Sequence, residues 1–322
     1  MNSLQQFRLL IEEELQKINY PTTPEKLYHP IEYVLSLGGK RMRPILLLMA
    51  HQLYSKDVSK AISPAIAVEV FHNFTLLHDD IMDNAPLRRG RKTVHEKWDN
   101  NVAVLSGDTM MIQAYQLVST VDSDILKEVL EVFSKAATEV CEGQQWDMDF
   151  ENQLDVSISE YLKMIEYKTS VLLAASLKMG AVIGRSSSED ADNLYEFGRN
   201  LGIAFQLQDD FLDAFGNPET FGKKVGGDIL ANKKTYLYLK AMEMSDIAQK
   251  EKLEDYFSDK YFNENEKVKS VKEIFSELNI PTLTKQLMME YHEKAISHLD
   301  MVTSEKKEPL YVFLKLLFDR EN

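Results

Sequence analysis

Hydrophobic residues recur every three or four positions along most of this chain. Near its beginning the apolar side chains are Leu4, Phe7, Leu10, Ile11 and Leu15, a spacing that would place them on one face of a helix. The alternating pattern of β-strands, bounded by hairpin turns, is nearly absent. The pattern therefore predicts an all-α fold.

Two short segments predict where helices begin. Thr23, Pro24 and Glu25 are typical of an N-cap, a first helical residue and a first-turn acid. Ser157 and Glu160 are spaced as a capping box before an apolar run. No linker rich in proline, serine or glycine divides the chain, so we predict a single domain over residues 1–322.

Two clusters of aspartate with the same spacing are the main candidates for chemistry. They read DDIMD at residues 79–83 and DDFLD at residues 209–213. In each cluster the first and last aspartates would lie one above the other on a helix. Both clusters follow apolar stretches, and we interpret both as lying deep in helical segments, where unpaired carboxylates are costly. A solvated acidic helix face is the alternative for one copy alone.

Two such copies favour divalent cations between them. One or two carboxylates per ion, with phosphate oxygens completing the shell, are typical of Mg²⁺. The clusters therefore predict a Mg²⁺–diphosphate site between two helices, across the central cavity of a helical bundle.

Basic residues accompany both clusters. Amides at a helix start and nearby cations bind phosphate well, and cations around one anion are expected at a leaving diphosphate. The candidates are the glycine turn GGKRMRP at 38–44, Arg88 and Arg89 after the first cluster, and Lys223, Lys224 and Lys233 after the second. For the first two groups, a solvated basic turn and an ordinary ion pair with the aspartates are the alternatives.

Composition and charge exclude other partners. The 322 residues carry a net charge of −14, so nucleic acid is not an expected partner. Cys141 is the single cysteine, so no intrachain disulfide can form, and we expect a reducing, cytoplasmic location. No apolar run approaches the ~20 residues of a membrane span, and the first residues do not look like a signal peptide.

Several segments together resemble a known family, the trans-isoprenyl diphosphate synthases or polyprenyl synthetases of the short-chain type. The matching segments are GGKRMRP at 38–44, LLHDDIMDNAPLRRG at 76–90, GQQWD at 143–147, YKTS at 167–170, GIAFQLQDDFLD at 202–213, GKKVGGDI at 222–229 and NKKT at 232–235. The resemblance implies the all-α isoprenoid synthase fold, and a homodimer.

The resemblance also implies a role for each aspartate. Three Mg²⁺ ions are expected, two bound by Asp79 and Asp83 and the third by Asp209. Asp80, Asp210 and Asp213 are expected to support these ligands through hydrogen bonds or water.

The same resemblance implies which residues bind substrates. The allylic diphosphate is expected at Arg88, Lys168, Lys233 and one of Lys223 and Lys224. Isopentenyl diphosphate is expected at Lys40, Arg43, His72 and Arg89, with Arg320 closing over it. Thr169, Gln206 and the Lys168 carbonyl are expected to stabilise an allylic cation during head-to-tail condensation. A histidine on an apolar helix is otherwise a core residue, which is the alternative for His72.

Product length is expected to depend on Phe71, Phe74 and Thr75, which precede the first aspartate cluster by one to two helical turns. In the family, bulky side chains there form the floor of the chain pocket; two ordinary core phenylalanines are the alternative. One aromatic with a small neighbour favours geranylgeranyl diphosphate (C20), then farnesyl diphosphate (C15), then longer chains. A class I terpene cyclase and a non-catalytic synthase subunit are remote alternatives, because both aspartate clusters and GGKRMRP are intact.

Overall fold

The structure, a computed structural model, describes residues 3–153, 155–216, 225–258 and 263–318. Its α-helices are α1 (Ser3–Gln16), α2 (Glu25–Ser36), α3 (Met42–Gln52), α4 (Ser59–Met82), α5 (Val94–Lys97), α6 (Asn100–Val118), α7 (Leu126–Asn152), α8 (Ile158–Ile165), α9 (Val171–Ile183), α10 (Ser188–Phe215), α11 (Gly227–Leu230), α12 (Tyr236–Met244), α13 (Ile247–Tyr256), α14 (Glu264–Glu277), α15 (Ile280–Met301) and α16 (Glu308–Phe318). A π-helical turn, Glu166–Ser170, joins α8 to α9.

One small hairpin interrupts the helices. Strands β1 (Leu87–Arg88) and β2 (Arg91–Lys92) pair in antiparallel fashion. Apart from this hairpin the described residues outside the helices are turns and loops, so the prediction of an all-α fold is confirmed.

The chain divides into two compact units. Unit 1 comprises Met1–Lys135, Leu172–Tyr195 and Met301–Phe313, and unit 2 comprises Ala136–Val171, Glu196–Asp300 and Leu314–Asn322. The single domain over residues 1–322 stays a prediction.

In unit 1, α4 is the central helix and packs against α6, α3, α1 and α2. Its buried face includes the small residues Ala61, Ala65 and Ala67, which allow neighbouring helices to approach closely. The apolar run Ile45–Ala50 of α3 is buried along its whole length. Burial of these faces is the main source of stability, at roughly 25 cal/mol per Å² of apolar surface.

In unit 2, the second half of α10 lies in the core. Its apolar residues Ile203, Leu207 and Phe211 belong to the same buried cluster as Met164 of α8 and Phe275 of α14. The core therefore holds the second aspartate cluster, which lies on the same helix, in a defined position.

The two predicted helix starts had different outcomes. The capping box is confirmed: the Ser157 hydroxyl accepts from the Glu160 amide, and the Glu160 carboxylate accepts from the Ser157 amide at 2.8 Å. The prediction for Thr23 was wrong by one residue. Pro24 itself has the extended N-cap conformation, and the helix begins at Glu25. No helix within the described ranges is both long enough and apolar enough to cross a bilayer.

Candidate active site

The first aspartate cluster lies at the C-terminal end of α4. Asp79 and Asp80 occupy the last turn, and Asp83 is the C-cap residue. We predicted a position deep within the helix, and the structure corrects this. The C-terminus of a helix carries a partial negative charge, which repels carboxylates, and this last turn contains no basic residue. Such a placement favours a bound cation.

Arg88 is the protein's own counter-ion to this cluster. Its Nε lies 2.8 Å and 2.9 Å from the two oxygens of buried Asp80, and its Nη2 lies 3.3 Å from Asp79. Burial nevertheless raises the pKa of Asp80, and its loss of hydration outweighs the Arg88 contact. The ion pair that we considered as an alternative for Arg88 is therefore present. Asp83 is exposed.

The hairpin positions both arginines. Arg89 and Gly90, its two-residue loop, have φ of 53° and 75°, as a type I′ turn requires. Thr93 fastens the hairpin to the end of α4 by donating from its hydroxyl to the Ala85 carbonyl at 2.8 Å. Left-handed backbone at a residue such as Arg89 costs roughly 1–3 kcal/mol and is commonest at functional sites.

His72 lies within a group of arginines. Arg43 donates from Nη1 to Nε2 of His72 at 3.1 Å, so Nε2 accepts and the ring is neutral. Burial first, and then the charges of Arg43, Arg89 and Arg88, hold the pKa of His72 well below its usual range. Burial also lowers the pKa of Arg43 to about 10, which leaves it charged near pH 7. The structure thus brings these residues together as one cationic group in unit 1.

Gly39 allows Arg89 to reach the GGKRMRP turn. A Cβ on Gly39 would lie 3.0 Å from both terminal nitrogens of the Arg89 guanidinium, which therefore rests on the backbone beside exposed Lys40. The motif at 38–44 and the hairpin together form one basic surface.

Arg41 of the same motif has a different role. Its guanidinium is buried and donates to Glu69 at 2.6 Å, to Glu12 at 3.0 Å and to the Leu35 carbonyl at 2.8 Å. Glu69, whose charge also acts on Arg43 and Arg89, is thus paired with Arg41. Arg41 serves to hold α1, α2 and α4 around the turn.

The residues predicted to set product length lie together on α4. The rings of Phe71 and Phe74 are 5.4 Å apart, and the Phe74 ring meets the ring of His78 at 4.7 Å. His78 in turn fills the space that a side chain at Gly107 of α6 would need. The Thr75 hydroxyl donates to the His72 carbonyl. Phe74 therefore lies between Phe71 and His78.

The second aspartate cluster lies in the last two turns of α10, whose last turn contains no basic residue. Asp210 is buried and accepts from the Tyr161 hydroxyl and, at 3.0 Å, from Nε2 of Gln206. Burial and the nearby carboxylates of Asp228 and Asp209 raise the pKa of Asp210. The Asp213 carboxylate accepts from the Asp228 amide at 2.9 Å and so holds the start of α11.

Gln206 links this cluster to the π-helical turn. Its Oε1 accepts from the Thr169 hydroxyl at 3.1 Å, while its Nε2 faces Asp210. The amide orientation is thus set from both ends. Thr169 and Gln206 therefore lie together as neutral dipoles, and their role toward an allylic cation stays a prediction.

Two glycines hold the π-helical turn between α7 and α10. A Cβ on Gly143 would lie 2.3 Å from the Lys168 nitrogen, and one on Gly202 would lie 2.6 Å from the Ser170 Cα. Neither backbone contact permits a larger residue. Lys168 is further held by Asp147 of α7, at 2.6 Å from its Nζ. Such π turns are frequent at functional sites.

These groups surround one cavity of about 130 Å³ in unit 2. Its walls are polar residues and a few apolar ones, of which the chemically relevant are Asp147, Tyr161, Lys168, Thr169, Gln206, Asp210, Asp228 and Lys233. Lys223, Lys224 and Arg320 lie outside the described residues.

The polyprenyl synthetase family model matches residues 24–277. The chain belongs to the polyprenyl synthetase family. It is 45% identical to the geranylgeranyl diphosphate synthase of Methanosarcina mazei over 69% of each chain. It is 39% identical to the geranylfarnesyl diphosphate synthase of Natronomonas pharaonis over 68% of this chain and 70% of that protein.

A solved crystal structure of a geranylgeranyl pyrophosphate synthase has a TM-score of 0.94, with 47% identity and 100% of both chains covered. This polyprenyl synthetase thus has the all-helical isoprenoid synthase fold, and the resemblance inferred from the motifs is confirmed.

The carboxylates of this family member fit Mg²⁺ in one specific way. Within the described ranges no three His, Cys, Asp or Glu side chains form a group that would hold a metal unaided. Mg²⁺ does not need such a group, because one or two carboxylates plus substrate phosphates suffice. Asp79 and Asp83, one turn apart at a negative helix end, supply that number.

Three structural roles were not predicted from the sequence. Asp147 holds Lys168, Tyr161 holds Asp210, and Arg41 is a buried structural residue. Asp147 belongs to the GQQWD motif, which was part of the family resemblance. The motif did not indicate that Lys168 is the partner of Asp147. The hairpin was also missed, although Gly90 after two arginines was a turn signal.

Proposed function

We propose that this protein is a trans-prenyltransferase that condenses isopentenyl diphosphate with a C5–C15 allylic diphosphate and makes geranylgeranyl diphosphate (C20). Family membership supports the reaction class. The observation that carries the proposal is the pair of acidic helix ends, the first paired with Arg88 and the second bordering a cavity that Lys168 and Lys233 also line, in a chain whose full-length structural relative is a geranylgeranyl pyrophosphate synthase. A cytoplasmic location stays an expectation.

We propose Asp79, Asp83 and Asp209 as Mg²⁺ ligands, three ions in all, with Asp80, Asp210 and Asp213 in support. Bound Mg²⁺ would supply positive charge to the diphosphate oxygens when the allylic C–O bond breaks. Arg88, already beside Asp79, would add a hydrogen-bonding charge to the same group.

The remaining residues divide the work between the two substrates. Arg43, His72, Arg89 and Lys40 would hold isopentenyl diphosphate without metal. The first three lie together in unit 1, Lys40 adjoins the Gly39 backbone on which Arg89 rests, and His72 stays neutral. Thr169 and Gln206 would face the allylic cation with oxygen dipoles, which stabilise it but do not trap it as a free carboxylate would. The isopentenyl double bond then attacks, and the released diphosphate would take the proton.

Prenyl transfer can be measured directly on the purified chain. Incubation with Mg²⁺, labelled isopentenyl diphosphate and each of the C5, C10 and C15 allylic diphosphates is expected to give a labelled C20 product. Consumption of an allylic substrate with no isopentenyl incorporation would indicate a cyclase, and no consumption at all would indicate a non-catalytic subunit. A C15 or C25 product would retain the reaction and change the length.

Phe74→Ala is expected to lengthen the product. Removal of the ring that lies between Phe71 and His78 opens space along α4, below the first aspartate cluster. The variant should lose about 3–5 kcal/mol of stability, as large-to-small core changes do. Chain length of the labelled product, resolved by chromatography, checks the prediction.

Phe275→Ala is the control for Phe74→Ala. Phe275 is also a buried phenylalanine, but it lies in unit 2. It should lose comparable stability and keep the product length. Unchanged length in Phe74→Ala would refute the floor assignment.

We propose that the protein forms a homodimer through α6. The buried face of α6 packs on α4, while its other face exposes Val104, Leu105, Met111 and Ile112 at 41%, 59%, 36% and 57%. These four residues repeat at a spacing of seven and form one exposed apolar stripe, which is typical of an interaction surface, so we assign a second copy of the chain to this face.

The double variant Leu105→Glu/Ile112→Glu is expected to be a monomer in light scattering at micromolar concentration, where the parent chain is a dimer. Paired charges at a dry interface cost several kcal/mol. Val312→Glu/Leu316→Glu on α16 is the matched control, since these residues are exposed to 40% and 51%. A monomeric parent chain, or an unchanged mass in the α6 variant, would contradict the assignment.

A further inference from the structure

Lys234 binds the end of a helix. Its Nζ lies 2.6 Å from the Phe150 carbonyl oxygen, 2.5 Å from that of Gln153 and 3.3 Å from that of Glu151. These carbonyls belong to the C-terminal end of α7, where helical carbonyls have no partner within the helix. The last turn of α7 has no basic residue of its own, so the ammonium also offsets the negative helix end.

The three contacts account for every donor of Lys234. A lysine ammonium has three N–H groups, and three carbonyl oxygens surround this one. Lys234 borders the same cavity as Lys233, but its donors are directed to the α7 backbone. The geometry therefore separates two adjacent lysines that the sequence motif NKKT presents alike.

The segment that carries Lys233 is held on both sides. Asn232, which has a left-handed backbone, accepts from Lys267 on α14. The Lys233 amide donates to the Asp228 carbonyl at 2.9 Å. On the other side, Lys234 ties the chain to α7. Contacts within the protein therefore hold Lys233 at the cavity that it lines, and none of these contacts involves a substrate.

The same helix end carries a second functional partnership. Asp147, which holds Lys168 at 2.6 Å, lies in the last two turns of α7. A shift of the α7 end would therefore displace Asp147 and Lys168 as well as the loop that carries Lys233. The hydrogen bonds from Lys234 to α7 therefore set the spacing of Lys168 and Lys233 around the cavity.

We infer that Lys234 is a positioning residue for prenyl transfer: it caps α7 and thereby sets the distance between Lys233 and the Lys168–Asp147 pair, without contacting substrate. The inference rests on the proposed function, in which Lys168 and Lys233 bind the allylic diphosphate.

Steady-state kinetics of Lys234→Met, Lys234→Arg and Lys233→Met test the inference. Lys234→Met keeps the length of the side chain and loses its donors. It should raise KM for the allylic diphosphate roughly tenfold, because displaced ligands bind a diphosphate poorly, and it should leave KM for isopentenyl diphosphate unchanged. Lys234→Arg can still donate to carbonyls and should recover most of the loss. Lys240→Met, which removes a surface ion pair with Glu243, should behave as the parent chain.

Two measurements do not depend on turnover. Amide hydrogen exchange in Lys234→Met should become faster both at residues 150–153 and at residues 232–235. Calorimetric titration with inorganic pyrophosphate and Mg²⁺ should show weaker binding to Lys234→Met than to the parent chain.

Three outcomes would overturn the inference. A lower unfolding temperature with unchanged KM and pyrophosphate affinity would make Lys234 merely structural. A larger KM effect than that of Lys233→Met, without rescue by arginine and without faster exchange at 150–153, would make Lys234 a direct ligand. Exchange that rises at only one of the two segments would disprove the coupling. A parent chain that transfers no prenyl group would instead refute the proposed function. The exchange result would still show whether Lys234 couples the end of α7 to residues 232–235.

Discussion

Asp79→Ala is expected to lower kcat for prenyl transfer by about 10³-fold, equivalent to about 4 kcal/mol of transition-state stabilisation. The carboxylate lies at the negative end of α4, where it gains nothing from the helix and can be favourable only beside cations. Because Asp83 and substrate oxygens would still bind some Mg²⁺, the half-saturating Mg²⁺ concentration should also rise. Rate measurements over a range of Mg²⁺ concentrations check both effects.

Asp209→Ala should have a loss of similar size. If both clusters act on one diphosphate, the double variant should cost little more than either single change, because residues that act as a unit are non-additive. Additive losses would mean that the two clusters work at separate sites.

Loss of an ion pair alone needs its own control, since Asp79 also contacts Arg88. Asp124→Ala removes a carboxylate that lies 2.5 Å from Arg185 in unit 1 and belongs to neither cluster. It should leave the rate and its Mg²⁺ dependence as they are. Full activity in Asp79→Ala would end the case for a metal ligand there.

Gly202→Ala is expected to lower kcat by about 10²-fold, because the new Cβ would lie 2.6 Å from the Cα of Ser170 and must push the π-helical turn aside. That turn carries Lys168 and Thr169. Overpacking should also cost about 1–3 kcal/mol of stability. Rates measured well below the unfolding temperature separate the two effects.

Gly180→Ala is the matched control. Its Cβ would lie 2.1 Å from the Leu47 carbonyl oxygen, an equally severe contact between α9 and α3 in unit 1. It should lose stability and, where folded, keep kcat. A folded Gly202→Ala with the parent kcat would show that the position of the π-helical turn does not govern the reaction.

Helix type could be predicted well from the sequence because its signals are local. The period of Leu4 to Leu15 and the Ser157 capping box act within one or two turns, and the structure confirms both. The start of α2 was misplaced by one residue. Proline has no N–H, and neither the N-cap nor the first helical position needs one, so both positions accept it. The hairpin was missed because two-residue strands have no period to detect.

The candidate site was only partly open to prediction. The residue types, the order of the motifs and the i, i+4 spacing of the aspartates were visible, and they led to the family. The position of the aspartates at helix ends was not visible, because tertiary packing and the following loop determine where a helix ends. The partner of Lys168 was also hidden, since Asp147 lies 21 residues earlier on another helix.

The sequence by itself determined the all-α class, the acidic and basic motifs and the membership of a family, because these depend on composition and on neighbours within a few residues. Only the tertiary structure decided that Lys234 donates to the end of α7, that Arg41 is buried against Glu69, and that Gly143 and Gly202 hold the π-helical turn. These depend on contacts between distant segments. Such contacts form when helices bury their apolar faces, and no local pattern encodes their pairing.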